Sequence, residues 1–175
     1  MRSFFEWLGS TPWSVQLLES AHVLSITVFV GTAMMMDLRL LGITFGGVRA
    51  SDFTGRLLPW TRWGFAVMVV TGLLVFYSNP VRYYHNMFFR FKMLLMVVAG
   101  LNIWLFHSRI HRKVSEWDLE PSPPRAAKIA GAVSLLAWTL IVVSGRLIAY
   151  NWYDCDIQPQ PAFVNWVSGC VLTAE

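Results

Sequence analysis

Charged side chains are scarce in this chain. They make up 14% of its 175 residues, whereas soluble domains average about 25%. The hydrophobic residues, at 55% of the total, fall into four long blocks that a soluble core does not need. The basic residues behind the net charge of +4 stand at the ends of these blocks, where positive charge sets membrane orientation. The composition therefore excludes a soluble or nucleic-acid-binding protein and indicates an integral membrane protein surrounded by lipid.

Sequence motifs of several familiar chemistries are also absent. The chain has no glycine-rich phosphate-binding loop, no CxxC, no HExxH and no nucleophile elbow. Glu19 and His22 form one ExxH pattern, but a carboxylate di-iron bundle needs a second such pattern and two more buried glutamates. Because the other three hydrophobic blocks contain no glutamate, a di-iron site is excluded as well.

The four hydrophobic blocks predict an all-α fold. We expect an integral membrane four-helix bundle in residues 1–150 and an external C-terminal tail in residues 151–175. Short interfacial segments are predicted at residues 4–8 and 81–88. Asp37 and Arg39 mark the end of the first span, and Ser51 is the predicted N-cap of the second helix. The predicted helices are residues 12–41, 52–77, 88–107 and 129–150.

Lysine and arginine in short loops mark the cytoplasmic side of a membrane. Nine of the fourteen basic residues lie in or beside the two loops that follow the first and third predicted helices. We therefore expect the chain in a bacterial inner membrane with both termini periplasmic. Cys155 and Cys170 then lie on the oxidising side, where disulfides persist. The sequence predicts a disulfide between them, with two unpaired thiols as the alternative.

Side chains that suit a cofactor gather in the outer layer of the predicted bundle. His22 lies in the first helix with Glu19 one turn away, Lys92 and Met96 lie near the start of the third helix, and Arg146 lies near the end of the fourth. An imidazole binds haem iron, and basic side chains can neutralise the haem propionates. We therefore predict a haem b site with His22 as the iron ligand, while Glu19 orients His22 or relays a proton.

The second axial ligand of this haem stays open. His85 is the candidate second imidazole, and Met96 is the candidate thioether. His107 lies near the inner surface, about 20 Å below His22 by helical rise, so these two do not share an iron. His107 and His111 are four residues apart on one helical face and cannot bind opposite sides of one porphyrin. These two histidines are predicted to be interfacial, or to belong to a quinone or partner site.

Each candidate also has a structural interpretation. Lys92 and Arg146 are close enough to helix ends to extend into the lipid headgroups as anchors. His22 and Glu19 could form a purely structural hydrogen bond. The three methionines of residues 34–36 carry thioethers that suit Cu(I), but three consecutive residues point in three directions on a helix, which favours packing.

Three segments carry a resemblance to known proteins: ESAHVLSITVFVGTAMMMDLRLLGI, FRFKMLLMVVAGLNIWLFH and WTLIVVSGRLIAY. They resemble small bacterial four-span proteins related to copper-resistance-D-like domains and to HemJ-type protoporphyrinogen oxidases. The resemblance implies haem b binding that depends on a histidine in an early span and a lysine that opens a later one. His22 and Lys92 are the matching positions. The resemblance covers most of the membrane part but not the tail with its two cysteines.

Three functional hypotheses follow. The first is a membrane b-type cytochrome-like subunit that passes electrons between the quinone pool and a membrane or periplasmic redox partner, alone or within a larger complex. The second is an enzyme that resembles protoporphyrinogen oxidase. The third is a cofactor-free accessory subunit in which the polar stripe around Glu19 and His22 serves helix association. An absorbance spectrum of the purified protein distinguishes the first two from the third.

Overall fold

The computed structural model describes residues 10–110, 114–118, 122–150, 153, 155 and 160–170. Every regular element in these ranges is helical, which confirms the all-α prediction. In chain order the elements are α1 (Pro12–Leu41), α2 (Ala50–Ser78), α3 (Pro80–Tyr84), α4 (Met87–Leu105, continued by a π-helical turn at Phe106–Ile110), α5 (Val114–Trp117), α6 (Arg125–Ile148) and α7 (Ala162–Ser168).

Four of these helices, α1, α2, α4 and α6, are long and apolar enough to cross a membrane. Large apolar side chains on each of them are more than half exposed, among them Leu24, Trp63, Leu94 and Leu136. A soluble protein rarely exposes so much apolar surface, whereas lipid covers it at no cost. The chain is therefore a multi-pass helical membrane protein whose outer faces contact lipid.

The helix ends follow local sequence signals. Gly42 ends α1 in the left-handed conformation at φ 75°, and its N–H donates to the carbonyl groups of Arg39 and Leu38, as at a glycine C-cap. The buried Asn86 side chain caps α4 by accepting from the N–H groups of Phe88 and Phe89. Helix α6 begins directly after Pro124, four residues before the predicted start, because the helix extends beyond its apolar span.

Two predictions about short segments have different outcomes. Helix α3 begins one residue before the predicted interfacial segment at residues 81–88 and covers its first half. The segment predicted at residues 4–8 lies outside the described residues. Ser51 is not the N-cap of α2, because α2 already begins at Ala50. Ser51 instead donates its N–H and its hydroxyl to the carboxylate of Asp118, at 2.8 and 2.6 Å.

Helix α1 is the centre of the bundle. It packs against both α2 and α6, while α4 packs against α6. The core between them holds Phe29, Val30, Met68, Ala99, Ala137, Trp138 and Ile141. Phe29 meets Trp138 edge-to-face with ring centroids 4.7 Å apart, a favourable aromatic geometry. This apolar layer divides the interior of the bundle into two ends. We name each end after a polar residue of α1 that lies there: the His22 end, where His22 is half-buried, and the Asp37 end, where Asp37 is buried.

The described part of the tail is fixed to the His22 end. Cys155 and Cys170 form a disulfide. Arg90 of α4 donates to the carbonyl oxygen of Val167 at 2.7 Å, and the Nδ1 atom of His85 lies 3.2 Å from the carbonyl oxygen of Ser168. The tail therefore docks against the corner between α3 and α4.

Candidate functional site

His22 is held in place by a hydrogen bond from α1 to α2. Its Nδ1 atom lies 3.0 Å from the hydroxyl oxygen of Thr71. A hydroxyl has one hydrogen, and Thr71 directs that hydrogen to the carbonyl oxygen of Val67 at 2.7 Å. The Thr71 oxygen is therefore left as an acceptor, and Nδ1 is the donor. This assigns the proton of the neutral imidazole to Nδ1 and leaves the lone pair on Nε2.

Gly72, the neighbour of Thr71, provides the space for the imidazole ring. A Cβ atom at position 72 would lie 3.0 Å from Cε1 of His22, 3.5 Å from Nδ1 and 3.8 Å from Nε2. Any larger residue would press on the ring edge that carries the hydrogen bond to Thr71. The imidazole also interacts with the backbone of Met68. Among the described residues, no side chain forms a hydrogen bond with Nε2, which is the nitrogen that could bind a ligand in this tautomer.

Lys92 approaches the same layer from α4. It is only partly exposed, and its Nζ atom lies 3.6 Å from the position that a Cβ atom at Gly145 of α6 would occupy. The absence of a side chain at Gly145 thus leaves room for the ammonium group. The charge of Lys92 influences the imidazole of His22. The structure therefore places these two predicted site residues in the same half of the interior.

Three other predicted site residues have different surroundings. Met96 is partly buried and packs against the core layer, one turn deeper than Lys92. Arg146 is exposed, and its guanidinium group lies 5.2 Å from the ring centroid of Tyr150. His85 contacts the tail through Ser168. Among the described residues, no hydrogen bond or ring contact joins His22 to His85 or Arg146.

Glu19 is exposed on α1 and lines a shallow surface groove there. The pKa of Tyr83 is raised by burial of its phenol and then by the negative charge of Glu19. Among the described residues, the hydrogen-bonding side chain at His22 is Thr71 and not Glu19. The sequence analysis did not single out Thr71 or Gly72. The signal that could have identified them is the Thr-Gly pair inside an otherwise apolar helix, where a hydroxyl group and a missing side chain occur together.

The Asp37 end holds a second set of buried polar groups. Asp37 and Arg39 were expected to mark the membrane interface, but they are only 6% and 2% exposed. Arg39 donates from Nε and Nη2 to the carbonyl oxygen of Val48, at 3.1 and 3.0 Å. The Ser134 hydroxyl on α6 faces the Asp37 carboxyl group. Asp37 lies about 22 Å from His22 by helical rise along α1, beyond the apolar core layer.

The donor set at the His22 end suits a haem better than a bare metal ion. Among the described residues, no three His, Cys, Asp or Glu side chains gather around one point. A bare transition metal needs such a cluster, but a porphyrin supplies its own four nitrogens, so one imidazole can attach it. His22 offers an imidazole that is oriented by Thr71, and Lys92 lies in the same half of the interior. These are the residues at this end that could hold a haem.

The fold and this site define a four-span helical membrane protein with an oriented histidine and a lysine in the same half of its interior. Residues 2–151 match the family model DUF6644, which is described as a family of unknown function. The match spans most of the chain, and the protein belongs to this family. Neither the curated proteins nor the solved structures that were compared with the chain gave a match.

Proposed function

We propose that this protein is a membrane b-type cytochrome-like subunit that binds haem b through Nε2 of His22. The observation that carries the proposal is the hydrogen bond between Nδ1 of His22 and Thr71. Histidines that bind metals usually donate their other ring N–H to an oxygen atom, which fixes the tautomer and the ring orientation. His22 has this arrangement, with Thr71 itself fixed by Val67.

Two residues of α4 complete the proposed haem site. Lys92 carries a positive charge in the same half of the interior as His22, where it would compensate a propionate through a charge-assisted contact. Met96 lies one turn deeper and carries a thioether, which can bind haem iron opposite an imidazole. Met96 and His85 both stay candidates for the second ligand, because the Nδ1 atom of His85 faces the carbonyl oxygen of Ser168 and its Nε2 atom is left for a ligand, as at His22.

A bound haem would supply a one-electron redox couple. We propose that the protein uses this couple to pass electrons between a redox partner and the quinone pool. In that role His22 would hold the iron, Thr71 would orient His22, and Lys92 would compensate propionate charge. Arg146 is exposed at the same end of α6, so we assign it a weaker electrostatic influence than Lys92. The proposed relation to HemJ-type domains rests on His22 and Lys92.

We further propose that the His22 end faces the periplasm of a bacterial inner membrane. Arg39, Arg49, Arg125 and Lys128 lie at or beside the helix ends of the Asp37 end, and positive charge of this kind marks the cytoplasmic side. The disulfide between Cys155 and Cys170 lies at the His22 end, which suits an oxidising compartment. Thiol labelling of intact cells after reduction should reach the two cysteines, whereas labelling only after permeabilisation would contradict this orientation.

The experiment that tests the cofactor is an absorbance spectrum of detergent-purified protein from haem-replete cells. The expected result is a Soret band and an α band that respond to dithionite, and their loss in His22→Ala. His107→Ala is the matched control, because His107 is an exposed histidine beyond the far end of α4. A colourless wild-type protein would favour a cofactor-free accessory subunit. Full haem content in His22→Ala would return His22 to a structural role.

A further inference from the structure

Asp37 is a buried ionisable side chain that the proposed haem site does not use. It lies one turn before the end of α1 and is 6% exposed. Its Oδ2 atom is enclosed by protein and has no hydrogen-bond partner. The other described carboxylates differ from it, because Glu19 and Asp52 are exposed and Asp118 accepts two hydrogen bonds from Ser51.

The contact between α1 and α6 is closed around Asp37. A Cβ atom at Gly131 of α6 would lie 3.0 Å from the carbonyl oxygen of Asp37, so the two helix backbones lie close together here. The polar group that faces the carboxyl from α6 is the hydroxyl of Ser134. The nearby Lys128 directs its ammonium group to Ser122 at 2.9 Å. Helix α6 therefore offers Asp37 a neutral hydroxyl but no positive charge.

The other elements around α1 also leave the carboxyl uncompensated. Arg39 turns to the carbonyl oxygen of Val48. On α2, Arg56 and Arg62 are exposed. On α4, the amide of Asn102 donates to the carbonyl oxygen of Ala130. Among the described residues, Asp37 has no ion-pair partner.

We infer that Asp37 is a proton-binding site, neutral at neutral pH, which exchanges its proton from the Asp37 end of the bundle. A carboxylate without a counter-charge in an apolar interior is far more costly than the neutral acid, so the group takes up a proton instead. A metal ion would need several more oxygen ligands than the carboxyl of Asp37 and the hydroxyl of Ser134 provide. A proton needs no cavity, which suits the enclosed Oδ2 atom.

Release of this proton would change the packing of the bundle. It would place an unpaired negative charge in the contact between α1 and α6, where Gly131 brings the backbones together. That contact would have to open and admit water to solvate the charge. Protonation of Asp37 is thereby coupled to the packing of α1 against α6. The coupling is independent of haem binding, because the core layer separates Asp37 from His22.

Infrared spectroscopy of the purified protein in lipid nanodiscs tests the inference directly. At neutral pH the wild-type protein should show the C=O stretch of a neutral carboxyl group, and isotopically labelled aspartate should shift that band. Asp37→Asn should remove the band, while Asp52→Asn, which changes an exposed aspartate on α2, should leave it. Ser134→Ala should keep the band at a shifted frequency, because the hydroxyl faces the carboxyl group.

Three results would overturn the inference. The first is a wild-type spectrum without a neutral carboxyl band at neutral pH. The second is a band that survives Asp37→Asn or that does not move in Ser134→Ala. The third is an Asp37→Asn variant that no longer elutes as a folded protein in size-exclusion chromatography, because asparagine has the shape and neutrality of protonated aspartate. A protein without haem would give the same infrared and chromatography results. Failure of the haem proposal can therefore be distinguished from failure of the inference about Asp37.

Discussion

The Nδ1 atom of His22 and the hydroxyl oxygen of Thr71 lie 3.0 Å apart and join α1 to α2. The bond fixes the ring and sets which nitrogen is open, so it should tune a haem bound to Nε2. A hydrogen bond that the ligand donates makes the imidazole a stronger electron donor, which favours ferric iron. Thr71→Val keeps the side-chain shape but removes the acceptor.

We therefore predict that Thr71→Val raises the haem midpoint potential by roughly tens of millivolts, on the scale of ~59 mV for each tenfold change in a one-electron equilibrium. Thr71→Ser is the matched control, because it keeps the hydroxyl and should keep the potential. A redox titration of the three proteins measures the effect. Equal midpoint potentials in Thr71→Val and the wild type would show that the hydrogen bond between His22 and Thr71 does not influence the haem.

Lys92 and Arg146 should differ in their influence on the same potential. Removing a positive charge near the haem favours the ferric form, so Lys92→Gln should lower the midpoint by roughly tens of millivolts. Arg146 is exposed and stacked on Tyr150, where water and salt screen its charge, so Arg146→Gln should lower it less. If the Lys92→Gln midpoint is unchanged and only detergent stability falls, Lys92 is an anchor and not a cofactor contact.

The close packing of α1 and α2 gives a prediction about stability. A Cβ atom at Gly64 would lie 2.9 Å from the backbone nitrogen of Phe29, and a helix backbone yields only at a cost. Gly64→Ala should destabilise the protein by about 1–3 kcal/mol, as overpacking does. Gly55 lies on the same helix with nothing within 4 Å, so Gly55→Ala should be neutral or slightly stabilising. Thermal unfolding in detergent compares the two, and equal melting temperatures would contradict the packing.

How much of this could be foreseen from the sequence depends on the kind of contact. The four spans follow from hydropathy, which depends on each block alone. The contact of His22 with Thr71 depends on how α1 and α2 are rotated about their axes, and no single-helix pattern specifies that rotation. The sequence predicted that Asp37 lies at the membrane interface, because a charged residue usually marks the end of an apolar span. Asp37 is buried because Gly131 has no side chain, so that α6 can approach α1 closely at this point.

Asp118 gives a prediction about acid sensitivity. Burial opposes ionisation of its carboxyl group, but the hydrogen bonds from Ser51 and the charge of Arg49 outweigh burial and lower its pKa. The ionised form is therefore favoured in the folded protein. Its stabilising effect is present above the unfolded value of about 3.9 and is lost as pH falls through the lower folded value.

At neutral pH, Asp118→Ala should cost about 1 kcal/mol, as loss of a helix cap does, and should speed hydrogen exchange in the first turn of α2. Asp52→Ala changes an exposed carboxylate in that turn and is the control. Below about pH 3.9 the difference between Asp118→Ala and the wild type should shrink. A difference that stays constant down to the lowest accessible pH would contradict the role of the charge.

Imidazole rescue of His22→Gly tests the central claim most directly. Removing the side chain should leave a space beside Thr71 and Gly72 in which free imidazole can bind. The account predicts that His22→Gly loses the wild-type haem spectrum and that added imidazole restores it, while His107→Gly keeps the spectrum throughout. A His22→Gly protein with the wild-type spectrum in the absence of imidazole would contradict the assignment of His22 as the haem ligand.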